Sequence, residues 1–411
     1  MSTAIPAPGT GTRPVRWDRR AWAILVILSG NMVLDSIEVS VVLVALPSIG
    51  ADLGLSLPTV QWLMSGFAVG FATLLPLGRR ITAHWGARRA YLAAMLVFAA
   101  ASVIGGLSDD IAILIATRVV KGFCVALTAP TGLAIIGTTF AGGPQHRRAV
   151  SIYGLFGAAG FTVGLLLSAV LLEAGWHWTF LFPAPVALVL LLFGLRVLPP
   201  DPPRDVVPRT VAVRDGALVR SALGAATLNG TYQSLLLLVT FQIWDELGWR
   251  PWQTALALLP ACVPLVLTVP FAGRMVARFG AARLIALGAL AAFLAPVYYL
   301  WRPWVDAYPT TTLPALLLVE AGFVLSFAAL NMQATAGVAV ENRARAVSLY
   351  QAAVQIGAVV VLPLVALLRT AFGSDRPALL LITVVGAAGL LVALTGIRHR
   401  RPLPIRRKVP L

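Results

Sequence analysis

Apolar residues along this chain gather into twelve long runs, approximately 22–46, 59–78, 90–107, 111–138, 149–172, 178–198, 219–242, 252–272, 282–301, 312–338, 346–369 and 377–397. Such runs are read as helices crossing a bilayer core, at about 1.5 Å of rise per residue. The one long hydrophilic connection, PPDPPRDVVPRTVAVRDGAL at 199–218, is rich in proline and charge and splits the runs six and six. The pattern predicts an all-α integral membrane protein with a cytoplasmic N-tail (1–20), a six-helix bundle (21–198), a cytoplasmic linker (199–218), a second six-helix bundle (219–397) and a basic cytoplasmic C-tail (398–411).

Composition agrees with this. The chain is 59% hydrophobic and 12% charged, with a mean hydropathy of +0.86, whereas soluble domains carry about 25% charged residues. The net charge of +16 would suggest nucleic acid for a soluble chain. Here it reads as topology, and no nucleic-acid partner is expected. Of the 32 Lys and Arg, 26 fall on the side of the termini and four (Arg250, Arg302, Arg369, Arg376) on the other. This asymmetry satisfies the positive-inside rule and predicts both termini in the cytoplasm of a multi-pass plasma (inner) membrane protein. The first run is too long for the apolar core of a signal peptide and is expected to stay as helix 1. The C-tail RHRRPLPIRRK is expected to lie at anionic lipid headgroups.

The halves repeat. PLGRRITAHWGARR (76–89) recurs as PFAGRMVARFGAAR (270–283), and RAVSIY (148–153) as RAVSLY (345–350), at offsets of 194 and 197. Two matches at nearly one offset argue for duplication of a six-helix unit, and parallel repeats of this kind belong to one transporter architecture.

Charge inside the runs is rare and therefore informative. Asp35 and Glu38 interrupt the first run three residues apart, so they share a helix face. A carboxylate at mid-membrane costs about 2.5–3.5 kcal/mol even on the lenient insertion scale, so the pair must face water, carry protons or meet cations. Arg118 and Lys121 lie in the fourth run and Glu320 in the tenth. Helix depth places Glu38 level with Arg118 and Asp35 level with Lys121, which predicts two ion pairs between helices 1 and 4. A structural pair inside the N-terminal bundle is the alternative role for Arg118, and Glu320 can equally pair with a group unseen in sequence. Asn229, Tyr232 and Gln233 are neutral groups suited to orienting a ligand, while Trp62 and Phe67 line a cavity or merely pack. Cys124 and Cys262 have no pairing pattern, and the four histidines stand singly, so neither metal nor cofactor is expected.

At these residues the sequence resembles the major facilitator superfamily, and within it the bacterial drug:proton antiporters. The family's loop pattern G-x-L-a-D-R-x-G-R-K corresponds to RRITAHWGAR from Arg79, matching at Gly86, Arg88 and Arg89, with Ala83 at the family's aspartate. The second copy keeps Gly273, Arg278 and Gly280, with Ala277 at the aspartate. RVVKGFCVALTAP is close to the helix 4 pattern R-x-x-Q-G-x-G-A, matching at Arg118 and Gly122, with Lys121 in place of Gln. Counting back from ALPSI puts Glu38 at the family's acidic position and makes Asp35 an addition. The proline of the helix 5 antiporter pattern is missing from GAAGFTVGLLLS.

The resemblance implies two six-helix bundles around a cavity lined mainly by helices 1, 4, 7 and 10, which hold all five charged positions. It implies a secondary active transporter, not an enzyme: proton-coupled efflux of amphipathic, drug-like small molecules by alternating access, by a monomer in the lipid bilayer. Glu38 is the first choice for proton carrier, with Asp35 tuning it or meeting substrate. Lys121, Arg118, Glu320, Asn229, Tyr232, Gln233, Trp62 and Phe67 are the expected cavity set. Arg79, Gly86, Arg88, Arg89, Gly273, Arg278 and Gly280 are the expected gating loops, whose latch must be remade without the aspartates. Proton-coupled uptake, a narrow metabolite carrier and a transport-dead sensor remain open alternatives.

Overall fold

A backbone in hydrocarbon has no water to bond with, so each apolar run closes its hydrogen bonds internally as helix. A computed structural model of the chain describes residues 17–140, 143–201, 215–301, 308–339 and 342–398. The predicted tails, except for residues 17–20 and 398, and the middle of the predicted linker lie outside the described residues, as does the Arg79 side chain.

Among the described residues, twelve principal helices make two six-helix bundles. In chain order they are α1 (Arg19–Asp52), α2 (Trp62–Trp85), α3 (Ala87–Gly106), α4 (Ile111–Thr139), α5 (Gly143–Ala174), α6 (Pro183–Val197), α7 (Gly216–Leu247), α8 (Pro251–Phe279), α9 (Ala281–Trp301), α10 (Thr312–Ala336), α11 (Arg343–Phe372) and α12 (Asp375–Arg398). Eleven spans meet the length and apolarity needed to cross a membrane, those of α2 and α6 together with the short helical turns before them (Leu57–Gly78 and His177–Val197). The other is α7, where Asn229, Thr231, Tyr232, Gln233 and Ser234 lower the hydropathy of a 32-residue helix. Helix α8 is broken into short segments at Pro260, Pro264 and Pro270, each of which removes a backbone donor.

Duplication is written in the backbone. Gly86 and Gly280 end α2 and α8 in one conformation, φ +94°, ψ 148° and φ +80°, ψ 138°, a region that side chains avoid. Asp18 and Asp215 each cap the first helix of a bundle, accepting from Ala21 N–H at 2.7 Å and Ala217 N–H at 2.8 Å, which satisfies donors that the helix itself leaves free. The tyrosines of the repeated RAVS motifs also match: Tyr153 donates to Ala129 O on α4 at 3.2 Å, and Tyr350 to Phe327 O on α10 at 3.3 Å.

Packing gives the molecule two unlike ends. Away from the termini, one apolar core runs through both bundles, from residues 42–46 on α1 to 235–239 on α7 and Val361, Leu362 and Val365 on α11. Toward the termini there are two separate cores. One holds the N-terminal bundle with Ala352 of α11, and the other the C-terminal bundle alone. The bundles stay joined along α2–α11 and α5–α8. Facing each other between those seams, α4 and α10 share no such interface among the described residues. The molecule is thus sealed at one end and parted at the end carrying the termini.

Candidate functional site

The charged residues of α1 and α4 come together, but not as two separate pairs. Glu38 holds both cations: its Oε2 accepts from Arg118 Nη1 at 2.5 Å and its Oε1 from Lys121 Nζ at 2.9 Å. Arg118 also donates from Nη2 to Glu38 O at 3.1 Å and from Nε to Leu63 O at 2.8 Å, tying α4 to α1 and α2. Arg118 and Lys121 are three positions apart, so both face Glu38 from one side of α4. The level pairing of Asp35 with Lys121 expected from helix depth is therefore not the one observed. A lysine stem is long enough to reach back to the carboxylate that Arg118 already orients.

The cluster is dry. Glu38, Arg118 and Lys121 are 1%, 0% and 0% exposed. Phe67 lies under the Arg118 guanidinium at 4.8 Å, and Phe98 and Phe180 flank the Lys121 ammonium at 5.2 and 5.6 Å. At such distances the electron-rich ring faces attract the cations. Phe98 sits on α3 and Phe180 just before α6, so the Lys121 charge lies inside the N-terminal bundle. Arg118, Lys121 and Phe67, expected as cavity walls, are built into that interior because each cation needs Glu38.

Asp35 sits one turn nearer the parted end. Its Oδ2 accepts from Asn31 Nδ2 at 3.0 Å and from Thr128 Oγ1 at 3.2 Å, while Oδ1 accepts no hydrogen bond among the described residues. Near it, Asn31 Oδ1 and Tyr91 OH are buried without partners among the described residues. Neither Asn31 nor Thr128 stands out in the sequence, although Asn31 comes four residues before Asp35, a spacing at which helical side chains meet. With Asp35 ionised, the set of two carboxylates and two cations is formally neutral.

In the other bundle Glu320, 1% exposed, accepts Leu265 N–H at 2.8 Å through Oε1, while its Oε2 is unpartnered. Leu265 N–H lies at the proline break in α8 and is shared with Cys262 O at 3.2 Å. Tyr232 bonds Ala261 O at the same break, and Asn229 bonds Val354 O on α11. Two of the three expected ligand-orienting groups thus bond backbone carbonyls within the C-terminal bundle, and the third, Gln233, has no partner for Oε1 among the described residues. Trp62 stands on the first turn of α2 at the sealed end, 39% exposed.

Among the gating residues, Gly86 starts α3 and lies against the Asp201 carboxylate. Asp201 Oδ1 accepts Arg88 N–H at 2.6 Å, and the Arg88 side chain reaches Leu195 O. The linker therefore supplies a carboxylate to this loop, where Ala83 cannot. Arg89 is exposed, Arg278 lies over Phe279, and Gly273 has open space beside it. Among the described residues no cluster of His, Cys, Asp and Glu could hold a metal ion.

Two duplicated six-helix bundles, fused at one end and parted at the other, define a membrane transporter. The family model of the Major Facilitator Superfamily matches residues 28–361, and the chain belongs to that family of transporters, which are not enzymes. It is 36% identical over 203 residues to the puromycin resistance protein pur8 of Streptomyces alboniger, covering 48% of this chain and 39% of that protein. It is 34% identical over 266 residues to the cephamycin export protein CmcT of Amycolatopsis lactamdurans, covering 64% and 52%. The chain thus spans about half the length of the curated relatives it matches, or less. Its fold superposes on the nucleoside transporter NupG with a TM-score of 0.73 at 12% identity, covering 93% of this chain and all of that one. A bacterial homologue of the human lysosomal transporter Spinster, solved inward-facing and unoccupied, gives 0.72 at 17% identity, covering 94% and 100%. These likenesses show the fold alone.

Proposed function

We propose that the protein is a proton-coupled exporter of amphipathic small molecules, working as a monomer by alternating access with both termini in the cytoplasm. The excess of Lys and Arg on the terminal side supports that orientation. The parted end then opens to the cytoplasm, where an exporter loads. The puromycin resistance and cephamycin export proteins among its relatives support efflux over uptake.

The observation that carries the coupling is the difference between the two helix 1 carboxylates. Both Glu38 oxygens are taken by cations. Protonating Glu38 would leave Arg118 and Lys121, both fully buried, side by side without a counter-charge, which is a costly state. Among the described residues, Asp35 has only neutral hydrogen-bond partners, both on Oδ2. Asp35 is therefore the group that exchanges protons, and Glu38 is the fixed anion that holds α4 in place. This reverses the order expected from the family position. Deprotonated Asp35 balances the surplus cation. Protonation leaves a buried positive charge, which disfavours a cationic substrate nearby and drives its release.

The test is drug accumulation in proteoliposomes under an imposed pH gradient, with puromycin and ethidium as probes. Asp35→Asn should abolish gradient-driven accumulation while leaving substrate exchange without a gradient. Accumulation retained in Asp35→Asn would remove Asp35 from the coupling step.

A further inference from the structure

We propose that His177 is a pH switch read from the outer solution: protonated, it clamps the sealed end of the N-terminal bundle and disfavours its opening. This inference rests on the alternating-access reading and its orientation, which puts the sealed end outside. The N-terminal bundle has three connections on that side, after α1, α3 and α5, and all three meet in one small assembly. Trp176 donates from Nε1 to Asp52 Oδ2, at the end of α1, at 2.7 Å. His177, the next residue, bonds through Nε2 to Asp109 Oδ1, in the connection before α4, at 2.8 Å. The two rings stack with centroids 3.7 Å apart and planes 22° from parallel. One ring pair thus ties the α5–α6 connection to both of the others.

Charge makes this assembly sensitive to protons. The helical turn His177–Leu181 packs chiefly on α1, α3, α5 and α6. The ionisable groups at the outer ends of those elements are Asp52, Asp109, Asp110 and Glu173, all acids, and the three connections hold no Lys or Arg. Arg250, Arg302, Arg369 and Arg376 all belong to the C-terminal bundle. His177 is therefore the one group here that can turn positive, and histidine is the side chain whose charge changes between about pH 5 and 8. A carboxylate only accepts, so the ring donates to Asp109 whether neutral or charged. Protonation makes that bond charge-assisted, which strengthens it, and sets a cation against the indole face of Trp176. The side chains of His177 and Asp109 are 36% and 73% exposed, so protons from the solution reach them directly.

The clamp grips parts that must move. Trp176 is 5% exposed and belongs to the core that runs through both bundles at the sealed end. Opening that end disturbs the packing around Trp176, so a state that holds its ring more firmly disfavours opening. The assembly also reaches inward. Trp176 meets Phe180 edge-on at 6.1 Å, and Phe180 flanks the Lys121 ammonium. Asp109 adjoins Asp110, which caps α4 by accepting Ala112 N–H at 2.7 Å, and α4 carries Arg118 and Lys121. The clamp therefore holds the head of α4 and one wall of the ion cluster together with the seal. An acidic outer solution tightens it and slows opening; a neutral one relaxes it.

The experiment reads opening of the sealed end in the purified full-length protein in detergent, with neither substrate nor gradient, so coupling does not enter. Val239, on α7 in the shared core and 0% exposed, is replaced by cysteine, and its modification by a small water-soluble maleimide reports opening. The parent protein, whose two cysteines are buried, gives the background. Thiol reactivity itself varies with pH, so each rate is divided by that of His177→Arg, a permanent cation, at the same pH. With His177 the ratio should be close to one in acid and rise about threefold by about pH 8, the scale of a partly exposed ion pair. His177→Gln should show the raised ratio throughout. A ratio that stays flat with His177 present, or that varies as much in His177→Gln, would overturn the switch. Thermal melting without the added cysteine gives a second reading. The parent should melt above His177→Gln in acid and level with it at about pH 8, and equal differences at both would count against the proposal. Asp35→Asn should leave the pH dependence of labelling in place. If it abolishes that dependence while His177→Gln does not, the response belongs to the helix 1 carboxylate and the switch falls. Retained drug accumulation in Asp35→Asn would sink the coupling assignment alone.

Discussion

The two bundles began as copies and now differ where it matters. At the offset of 197 that relates the capping residues Asp18 and Asp215, Asp35 corresponds to Tyr232 and Glu38 to Leu235. Where α4 carries Arg118 and Lys121, the matching turn of α10 carries Ala315, Leu316, Leu318 and Val319, all buried or partly so. The N-terminal bundle thus buries two cations and two carboxylates, while the C-terminal bundle buries one carboxylate and, among the described residues, no cation. The frame stayed the same: the positive-φ glycines, the aspartate caps and the tyrosine bonds recur in both halves. Helix ends and close approaches were kept by geometry, while the buried charges within the membrane diverged between the halves.

The strongest way to break this comparison is to remove the charge that only one bundle has. Glu38→Gln leaves Arg118 and Lys121 buried without an anion and should cost about 3–5 kcal/mol, read as a lower melting temperature in detergent. Replacing all three by apolar residues, Glu38→Leu with Arg118→Met and Lys121→Met, makes the N-terminal bundle resemble its twin. That triple variant should be more stable than Glu38→Gln and inactive in transport. If it is the less stable of the two, the cluster is not the self-contained electrostatic unit described above. Asp35→Asn should have the opposite profile. It should lose at least about tenfold in gradient-driven accumulation but melt within a few degrees of the parent, since its neutral hydrogen-bond partners remain available.

The frame was far more legible than the site. Length and apolarity locate helices because a bilayer enforces both, and the repeated loops announced the duplication. Even α7, whose polar centre lowers its hydropathy, is placed by the six-and-six count. The charged positions were visible for the same reason, since charge in a membrane is rare. Their partners were not. Whether Lys121 bonds Asp35 or Glu38 depends on the stem of one side chain and on the rings of Phe98 and Phe180, which come from other helices. The contact of Glu320 depends on Leu265 N–H at the proline break of another helix, α8. Asp201 brings a carboxylate to the loop that lacks one at Ala83, and no local pattern joins it to Gly86 across more than a hundred residues.

That last contact gives a smaller, sharper test. Gly86→Ala forces a side chain into a backbone region that only glycine occupies easily, and its Cβ would meet the Asp201 carboxylate. The expected loss is about 1–3 kcal/mol. Asp201→Ala removes the cap on Arg88 N–H and should cost about 1 kcal/mol. An Asp201→Ala variant as impaired as Gly86→Ala would mean the carboxylate, rather than the positive-φ turn, governs this loop.

The smallest effect tests the part of the comparison where the halves should be alike. Tyr153 and Tyr350 occupy the same place in the repeated RAVS motifs, are 4% and 0% exposed, and each donates to a backbone carbonyl of the neighbouring helix. Replacing either by phenylalanine keeps the ring and its packing and removes one hydrogen bond, worth about 1 kcal/mol net. The carbonyls of Ala129 and Phe327 are acceptors within helices, so losing the tyrosine does not leave them without a bond. The two variants should therefore fall by similar amounts in thermal denaturation, and the double variant should show their sum, because the sites lie in different bundles. A large difference between Tyr153→Phe and Tyr350→Phe would mean that the frame has diverged along with the chemistry.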